Sequence, residues 1–256
     1  MLFKRELQRF LLLTILLLLA CGPTQDSEKL LIATSANMQY AMEELVAEFS
    51  NESGIPSQMV IGASGKLAAQ ITSGAPFAVF VAADTKYPEK LYQNGLCLAP
   101  PKVYAHGKLV LWTTRAAIAP NVNILDSKAI EHIAIANPTL APYGKAAMEF
   151  MGNHQLLEKV RHKFVYGESI AQTNQFIVSG SADIGFTAQS VVLYSQLKQL
   201  GKWAQLDTSQ YTPIAQAIVL LKNTELQEKR AEKFEKFLFS PKAKKILENF
   251  GYTVVK

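Results

Sequence analysis

The sequence predicts an α/β protein in which two connecting strands join one lobe to another. Four times, a short apolar run is followed by small or turn-forming residues and then by apolar residues at helical spacing. Two further apolar runs, Lys108–Trp112 and Ala217–Leu221, lie far apart in the chain. We interpret them as the strands by which the chain leaves the first lobe and returns to it.

The first strand–loop–helix unit shows the pattern most clearly. Leu30–Ala33 is apolar and predicts a buried strand, Thr34–Asn37 predicts a tight loop, and residues 38–49 carry one apolar helical face. Ser35 or Asn37 is placed to cap this helix. A helix N-terminus carries partial positive charge and can bind an anion without a cationic side chain. If this unit is considered without the rest of the chain, the simpler interpretation is that Asn37 only caps its own helix.

The same pattern recurs three times, which favours a ligand site over simple capping. The corresponding loops are Gly62–Lys66, Asn137–Gly144 and Gly167–Ser169. Each follows an apolar strand and precedes a predicted helix. Open α/β sheets bind ligands beyond the carboxyl ends of their strands, so four helix N-termini are expected to face one site.

The N-terminal residues predict export. Residues 1–20 combine Lys4, Arg5 and Arg9 with an apolar run that is too short to span a membrane, which is typical of a signal peptide. Leu18-Leu19-Ala20-Cys21 resembles the bacterial lipobox, which implies cleavage before Cys21 and lipidation of that cysteine. The alternative is ordinary cleavage with Cys21 as a bystander. Residues 21–29 are expected to form a flexible tether.

Composition limits the partner classes. The 256 residues are 49% hydrophobic and 18% charged, with a net charge of +5. Removing the signal peptide takes away three positive charges and one negative charge. The remaining excess is too small to predict nucleic-acid binding. With Cys21 lipidated, Cys97 is the one thiol left, so no internal disulfide is expected, and Cys97 is interpreted as a buried small hydrophobe.

Enzymatic patterns fail in detail. Gly62–Lys66 resembles a phosphate loop, but Val60 stands where the first glycine belongs and Leu67 replaces the Mg²⁺-binding hydroxyl residue. The four histidines show no metal-ligand spacing. We therefore expect no catalytic residue and no side chain that directly ligates a metal. A hydrolase with Ser64 as nucleophile stays open as an alternative, because the fold could bring a histidine such as His132 close to it.

The chain resembles the substrate-binding proteins of molybdate ABC transporters from about Leu30 to its C-terminus. The shared stretches are residues 33–37, 62–71, 74–76, 79–84, 137–145 and 250–252. The resemblance implies a two-lobed periplasmic-binding-protein fold, with each lobe a mixed sheet flanked by helices and a hinge of two strands. Lobe 1 is expected to comprise residues 30–108 plus 216–256, and lobe 2 residues 109–215.

The resemblance also implies the site residues. The residues expected to bind the oxyanion are Ala36, Asn37, Ser64, Tyr143 and, through its backbone N–H, Ile170; those expected to line the pocket are Ser35, Gly65 and Phe186. The commoner family pattern has serine at Asn37, alanine at Tyr143 and a ligand tyrosine at Phe186. We expect Tyr143 to supply the phenol that Phe186 lacks. Lys66 and Lys145 are expected to point to solvent.

The function implied by the resemblance is capture of molybdate, and of tungstate, for a partner ABC permease. The protein is expected to be a monomer on the periplasmic side of a bacterial membrane, lipid-anchored at Cys21, with no cofactor beyond its ligand. Molybdate at neutral pH carries no proton and only accepts hydrogen bonds, which suits a site of donors. A binding protein for another oxyanion, such as sulfate, is the main alternative.

Overall fold

The computed structural model describes residues 29–255 and contains two mixed β-sheets flanked by helices. The eleven strands, in chain order, are β1 (Leu30–Ser35), β2 (Ser57–Gly62), β3 (Val79–Ala82), β4 (Lys102–Gly107), β5 (Leu109–Thr113), β6 (Ile133–Ala136), β7 (Phe164–Gly167), β8 (Ile184–Ala188), β9 (Lys202–Gln205), β10 (Ile214–Leu220) and β11 (Thr253–Val254). This architecture confirms the predicted fold class.

Nine α-helices lie among residues 29–255. They are α1 (Gln39–Ser53), α2 (Ser64–Thr72), α3 (Lys86–Gln93), α4 (Pro142–Asn153), α5 (Leu157–Val160), α6 (Ile170–Val178), α7 (Gln189–Leu193), α8 (Glu225–Leu238) and α9 (Pro241–Asn249). A short 3₁₀ turn, Ala36–Met38, precedes α1. None of these helices has the length and apolar character needed to cross a membrane.

The first sheet has the order β11-β4-β10-β3-β1-β2. Strand β1 pairs in parallel with β2 and β3, whereas β10 runs antiparallel to both β3 and β4. All four residues of β3 are buried, as expected for a central strand covered by helices on both faces. Strand β2 alternates between more and less buried residues because it lies at the sheet edge.

The second sheet has the order β7-β6-β8-β5-β9. Strand β6 pairs in parallel with β7 and β8, and β5 runs antiparallel to β8 and β9. Strands β5 and β8 are fully buried. We call the first sheet with its helices lobe 1 and the second sheet with its helices lobe 2.

The chain passes between the sheets at two places. Lys108 alone separates β4 of the first sheet from β5 of the second, and residues 206–213 lead from β9 back to β10. The expected connecting strand Lys108–Trp112 therefore lies almost wholly in the second sheet, and Ala217–Leu221 lies almost wholly in the first. The segments that cross between the sheets are adjacent to these strands. The exact lobe boundaries, residues 30–108 plus 216–256 and residues 109–215, stay a prediction.

Each lobe has its own apolar core. Trp112, Phe150 and Phe186 belong to the lobe 2 core, while Phe49 and Phe234 meet edge to face in lobe 1 with ring centroids 5.1 Å apart. Cys97 is buried as a free thiol, and burial raises its pKa to about 11. The thiol is therefore protonated at neutral pH and behaves as a packing residue.

Candidate functional site

The four predicted ligand loops meet in one pocket between the lobes. Its lining comprises Ser35, Ala36, Asn37, Gly62, Ala63, Ser64, Ala83, Ala141, Pro142, Tyr143 and Ile170. All five residues expected to bind the oxyanion are in this set, together with Ser35. The lining contains no charged side chain and no histidine. Ser64 therefore has no base beside it in this pocket, which disfavours a hydrolase centred on Ser64.

Two residues expected on the pocket wall, Gly65 and Phe186, are not among its lining residues. Gly65 turns toward lobe 2, where its N–H donates to the Leu140 carbonyl at 2.9 Å. Phe186 is 1% exposed and packs in the core of lobe 2 against Phe150, with ring centroids 6.2 Å apart. Strand β8 is buried on both faces, so its apolar sequence did not reveal which face Phe186 would occupy.

Ser64 is placed to donate a hydrogen bond into the pocket. It is the first residue of α2 and only 1% exposed, and its Oγ accepts a hydrogen bond from the Ala83 N–H at 3.1 Å. Its own hydroxyl proton has no acceptor among the described residues. Because the Ala83 contact fixes the oxygen, the proton is left for a group in the pocket.

Tyr143 is a second buried donor. It is 2% exposed, lies in the first turn of α4, and its Oη lies close to Asn37 and Tyr252 without reaching hydrogen-bond geometry with any described residue. The hydroxyl lies so close to the backbone of Gly107 that a Cβ there would overlap it. Burial, with a smaller contribution from neighbouring Tyr252, raises the pKa of Tyr143 well above its usual value. The phenol therefore keeps its proton, and a buried donor without a partner favours an acceptor ligand.

The helix N-termini add backbone donors. Ala63 before α2 and Ala141 before α4 provide no side-chain cap, and Ser35, before the 3₁₀ turn, donates its hydroxyl to the Val81 carbonyl instead. At α6, Ser169 caps by accepting from the Gln172 N–H. The first N–H groups of a helix have no partner within it, so these ends present donors and partial positive charge to an anion.

Asn37 contributes differently from the expectation. Its side-chain Nδ2 donates to Gln216 Oε1 at 2.8 Å and to Tyr252 Oη at 3.0 Å, so both amide hydrogens are engaged. Asn37 is among the residues expected to bind the oxyanion, but its side-chain amide has no hydrogen left to donate to a ligand. In the structure the backbone N–H is the donor that Asn37 can still offer the pocket. Sequence reasoning missed Gln216 and Tyr252 because they lie 179 and 215 residues away.

Lys66 does not simply point to solvent. Its Nζ pairs with Glu168 of the fourth ligand loop at 2.6 Å, and both side chains are about half exposed. Lys145 is 3.6 Å from Glu149 on its own helix. The Lys66–Glu168 pair joins the two lobes. An exposed ion pair of this kind contributes only about 0–1 kcal/mol.

A larger cleft of about 210 Å³ adjoins the pocket and shares Ala83, Ala141 and Pro142 with it. Asp84 lines this cleft at the end of β3. Desolvation raises the pKa of Asp84 to about 6, although the Tyr87 N–H and the charges of Lys86 and Lys145 act in the opposite direction. The side chain therefore loses its proton in the folded protein at a higher pH than in the unfolded chain.

Replacing Asp84 by asparagine should stabilise the protein at neutral pH. Because the folded-state pKa is above the unfolded value of 3.8, this group favours folding below about pH 4, and that contribution is lost as pH rises to about 6. We expect the free energy of unfolding of Asp84→Asn to exceed that of wild type by an amount that grows as pH rises from 4 to 7 and reaches about 1–3 kcal/mol. Urea unfolding at several pH values measures the difference. Exposed Asp126→Asn is the control, and equal pH slopes for wild type and Asp84→Asn would contradict the expectation.

Among residues 29–255, no three His, Cys, Asp or Glu residues come close enough together to hold a metal ion. The donor set described above instead suits a ligand that accepts hydrogen bonds on several oxygens. Its members come from both lobes: Ser64 and Asn37 from lobe 1, Tyr143 and Ile170 from lobe 2. A ligand between them would contact both lobes at once.

Comparison with known proteins gives consistent matches over almost the whole described chain. Residues 30–253 match the family model described as bacterial extracellular solute-binding protein. The chain is 35% identical over 238 residues to the molybdate-binding protein ModA of Azotobacter vinelandii, covering 92% of this chain and 93% of the relative. It is 36% identical over 225 residues to ModA of Rhodobacter capsulatus, with 88% of each covered.

The structure is also similar to a solved one. It matches the periplasmic molybdate-binding protein of Azotobacter vinelandii with a TM-score of 0.84 and 33% identity, covering 89% of this chain and all of the other.

Proposed function

We propose that this chain, which belongs to the bacterial extracellular solute-binding proteins, binds molybdate between its lobes for an ABC importer. Tungstate, which has nearly the same size and charge, is expected to bind as well. The oxyanion is the ligand and no other cofactor is needed. The protein acts outside the cytoplasm as a monomer and delivers its ligand to a membrane permease.

The observation that carries the proposal is a pocket that offers hydrogen-bond donors and no charged side chain. The donors are the Ser64 hydroxyl, the Tyr143 hydroxyl and backbone N–H groups at Ala36, Asn37 and Ile170. A molybdate dianion has no proton and accepts hydrogen bonds on all four oxygens. Each bond to a charged acceptor contributes about 1.5–3 kcal/mol, so these five donors support tight binding without a salt bridge.

Other ligands suit this pocket less well. Phosphate keeps a proton near neutral pH and would need an acceptor such as a carboxylate, and none lines the pocket. Sulfate presents the same acceptors on a smaller ion, so it differs from molybdate in size alone. An enzymatic role for Ser64 is disfavoured because the pocket lining holds no histidine.

A thermal-shift panel tests the proposal. Ligand at about 100 times its dissociation constant stabilises the folded state by about 2.7 kcal/mol. For a chain of this size that corresponds to a rise in Tm of roughly 5–10 °C. We expect molybdate and tungstate to give this rise, sulfate a smaller one and phosphate none. An unchanged Tm throughout would favour an enzyme or a structural lipoprotein.

We further propose that the mature protein is held at the membrane by lipid on Cys21, which lies outside the described residues. The support is the position of Cys21 directly after the apolar run that ends in Leu18-Leu19-Ala20. One acyl chain binds membranes only marginally, so several chains are needed for stable anchoring. Cys21→Ser should release the protein from the membrane fraction while its molybdate affinity stays unchanged. Equal membrane partition of Cys21→Ser and wild type would contradict the anchor.

A further inference from the structure

A buried group of polar side chains surrounds the first ligand loop. Tyr252 Oη lies 3.0 Å from the Asn37 carbonyl and 3.1 Å from Ser190 Oγ, and it accepts from Asn37 Nδ2. Ser190 Oγ donates to the same carbonyl at 2.7 Å. Gln216 Oε1 accepts the other amide hydrogen of Asn37. Including Asn37 itself, these four residues are at most 4% exposed. We call them the Asn37 junction.

The members of the junction come from both lobes and from the return crossing. Gln216 lies near the start of β10, the strand that follows residues 206–213, and the register with β4 shifts between Gln216 and Ala217. Tyr252 follows α9 in lobe 1. Ser190 lies in α7, directly after β8 of lobe 2. Asn37 is therefore hydrogen-bonded to lobe 1, to lobe 2 and to the strand at which the chain returns.

The two side-chain amides of the junction have one consistent orientation. Gln216 Nε2 donates to the Ile214 carbonyl at 3.1 Å, which leaves Oε1 to accept from Asn37. Burial raises the pKa of Tyr252 to about 12, so its hydroxyl keeps the proton that it donates. A serine at position 37 could not reach both Gln216 and Tyr252 with two donated hydrogens. The asparagine thus completes a set of buried polar groups.

The chain around Tyr252 is shaped to reach lobe 2. Gly251 has a φ of +81°, a left-handed conformation that favours glycine. A Cβ at Gly251 would lie 2.9 Å from Gln189 Cδ, the residue beside Ser190. The backbone turn therefore comes close to α7 and brings Tyr252 Oη within reach of Ser190.

We propose that Tyr252, Gln216 and Ser190 are positioning residues that hold the first ligand loop against both lobes, so that ligand binding at this loop is coupled to lobe position. This inference rests on the proposed function. The ligand would contact the Asn37 backbone N–H, and the carbonyl of the same residue is held by Ser190 of lobe 2. A change in lobe separation must therefore break or move hydrogen bonds at the loop that binds the ligand.

Inter-lobe distances and molybdate titration test the inference together. Spin labels on Lys90→Cys in α3 and Gln175→Cys in α6, both exposed positions, report the lobe separation. The labels are placed in the Cys21→Ser background, and Cys97 is buried. Tyr252→Phe and Ser190→Ala should each broaden the distance distribution without ligand and weaken molybdate binding about three- to tenfold.

Tyr104→Phe is the matched control. Tyr104 is 1% exposed and lies close enough to Tyr252 that burial and Tyr252 together raise the pKa of Tyr104, but its hydroxyl makes no hydrogen bond among the described residues. Tyr104→Phe should leave the inter-lobe distance distribution and the molybdate affinity at their wild-type values. The inference is overturned if Tyr252→Phe and Ser190→Ala match wild type, or if Tyr104→Phe has the same effect as they do. If wild type itself fails to bind molybdate, the proposed function is wrong, and the ligand-free distances still decide whether these residues hold the first ligand loop against both lobes.

Discussion

Replacing Tyr143 by phenylalanine should weaken molybdate binding about ten- to a hundredfold. The Tyr143 hydroxyl is buried, keeps its proton and has no hydrogen-bond acceptor among the described residues. Its removal would cost the bound state one hydrogen bond to a charged acceptor, about 1.5–3 kcal/mol. The ligand-free protein should lose little stability because it loses no internal hydrogen bond. Calorimetric titration and urea unfolding measure the two effects separately.

Two variants make this prediction specific. Tyr104→Phe removes a nearby buried hydroxyl that does not line the pocket, and it should leave the affinity unchanged. Phe186→Tyr adds a hydroxyl in the core of lobe 2, away from the pocket lining, and should not improve binding. An unchanged dissociation constant for Tyr143→Phe would show that this hydroxyl does not contact the ligand.

Gly65→Ala should weaken molybdate binding by roughly five- to a hundredfold through the contact between the lobes. A Cβ at Gly65 would lie 2.6 Å from Tyr87 Oη and 3.2 Å from Leu140 Cα. The same glycine donates its N–H to the Leu140 carbonyl at 2.9 Å, and Tyr87 Oη donates to the Thr139 carbonyl at 2.7 Å. The methyl group would displace the Tyr87 hydroxyl from the Thr139 carbonyl and press on the Leu140 backbone of lobe 2. Overpacking of this kind costs about 1–3 kcal/mol.

The matched control for Gly65 is Gly152 in α4. A Cβ at Gly152 meets no atom within 4 Å, so Gly152→Ala should preserve affinity and slightly stabilise the helix. Gly65→Ala should affect binding more than unfolding, since the crowding occurs where the lobes meet. Wild-type affinity in Gly65→Ala would show that the lobes do not need this close approach when ligand is bound.

Much of the fold follows from local patterns in the sequence. The run Val79–Ala82 is apolar throughout and forms a buried strand, and the helical spacing after Asn37 forms α1. The loops at Ser64 and Tyr143 could be predicted because strand, short loop and helix follow each other closely. Parallel strands then place the carboxyl ends together.

The remaining features depend on contacts between distant segments. The partners that engage the Asn37 amide, Gln216 and Tyr252, could not be predicted because they lie far away in sequence. Lys66 appeared solvated because its partner Glu168 belongs to the other lobe. Phe186 could not be assigned to the core, since a strand buried on both faces gives no alternation from which to infer side-chain direction.

Calorimetric titration of wild type with molybdate, sulfate and phosphate tests the central claim most directly. The donor-only pocket predicts one molybdate bound per chain, no measurable phosphate binding, and sulfate binding weaker than molybdate binding. Tyr143→Phe in the same titration should lower the molybdate affinity about ten- to a hundredfold. Phosphate binding as tight as molybdate binding, or no heat with any of the three ions, would contradict the account.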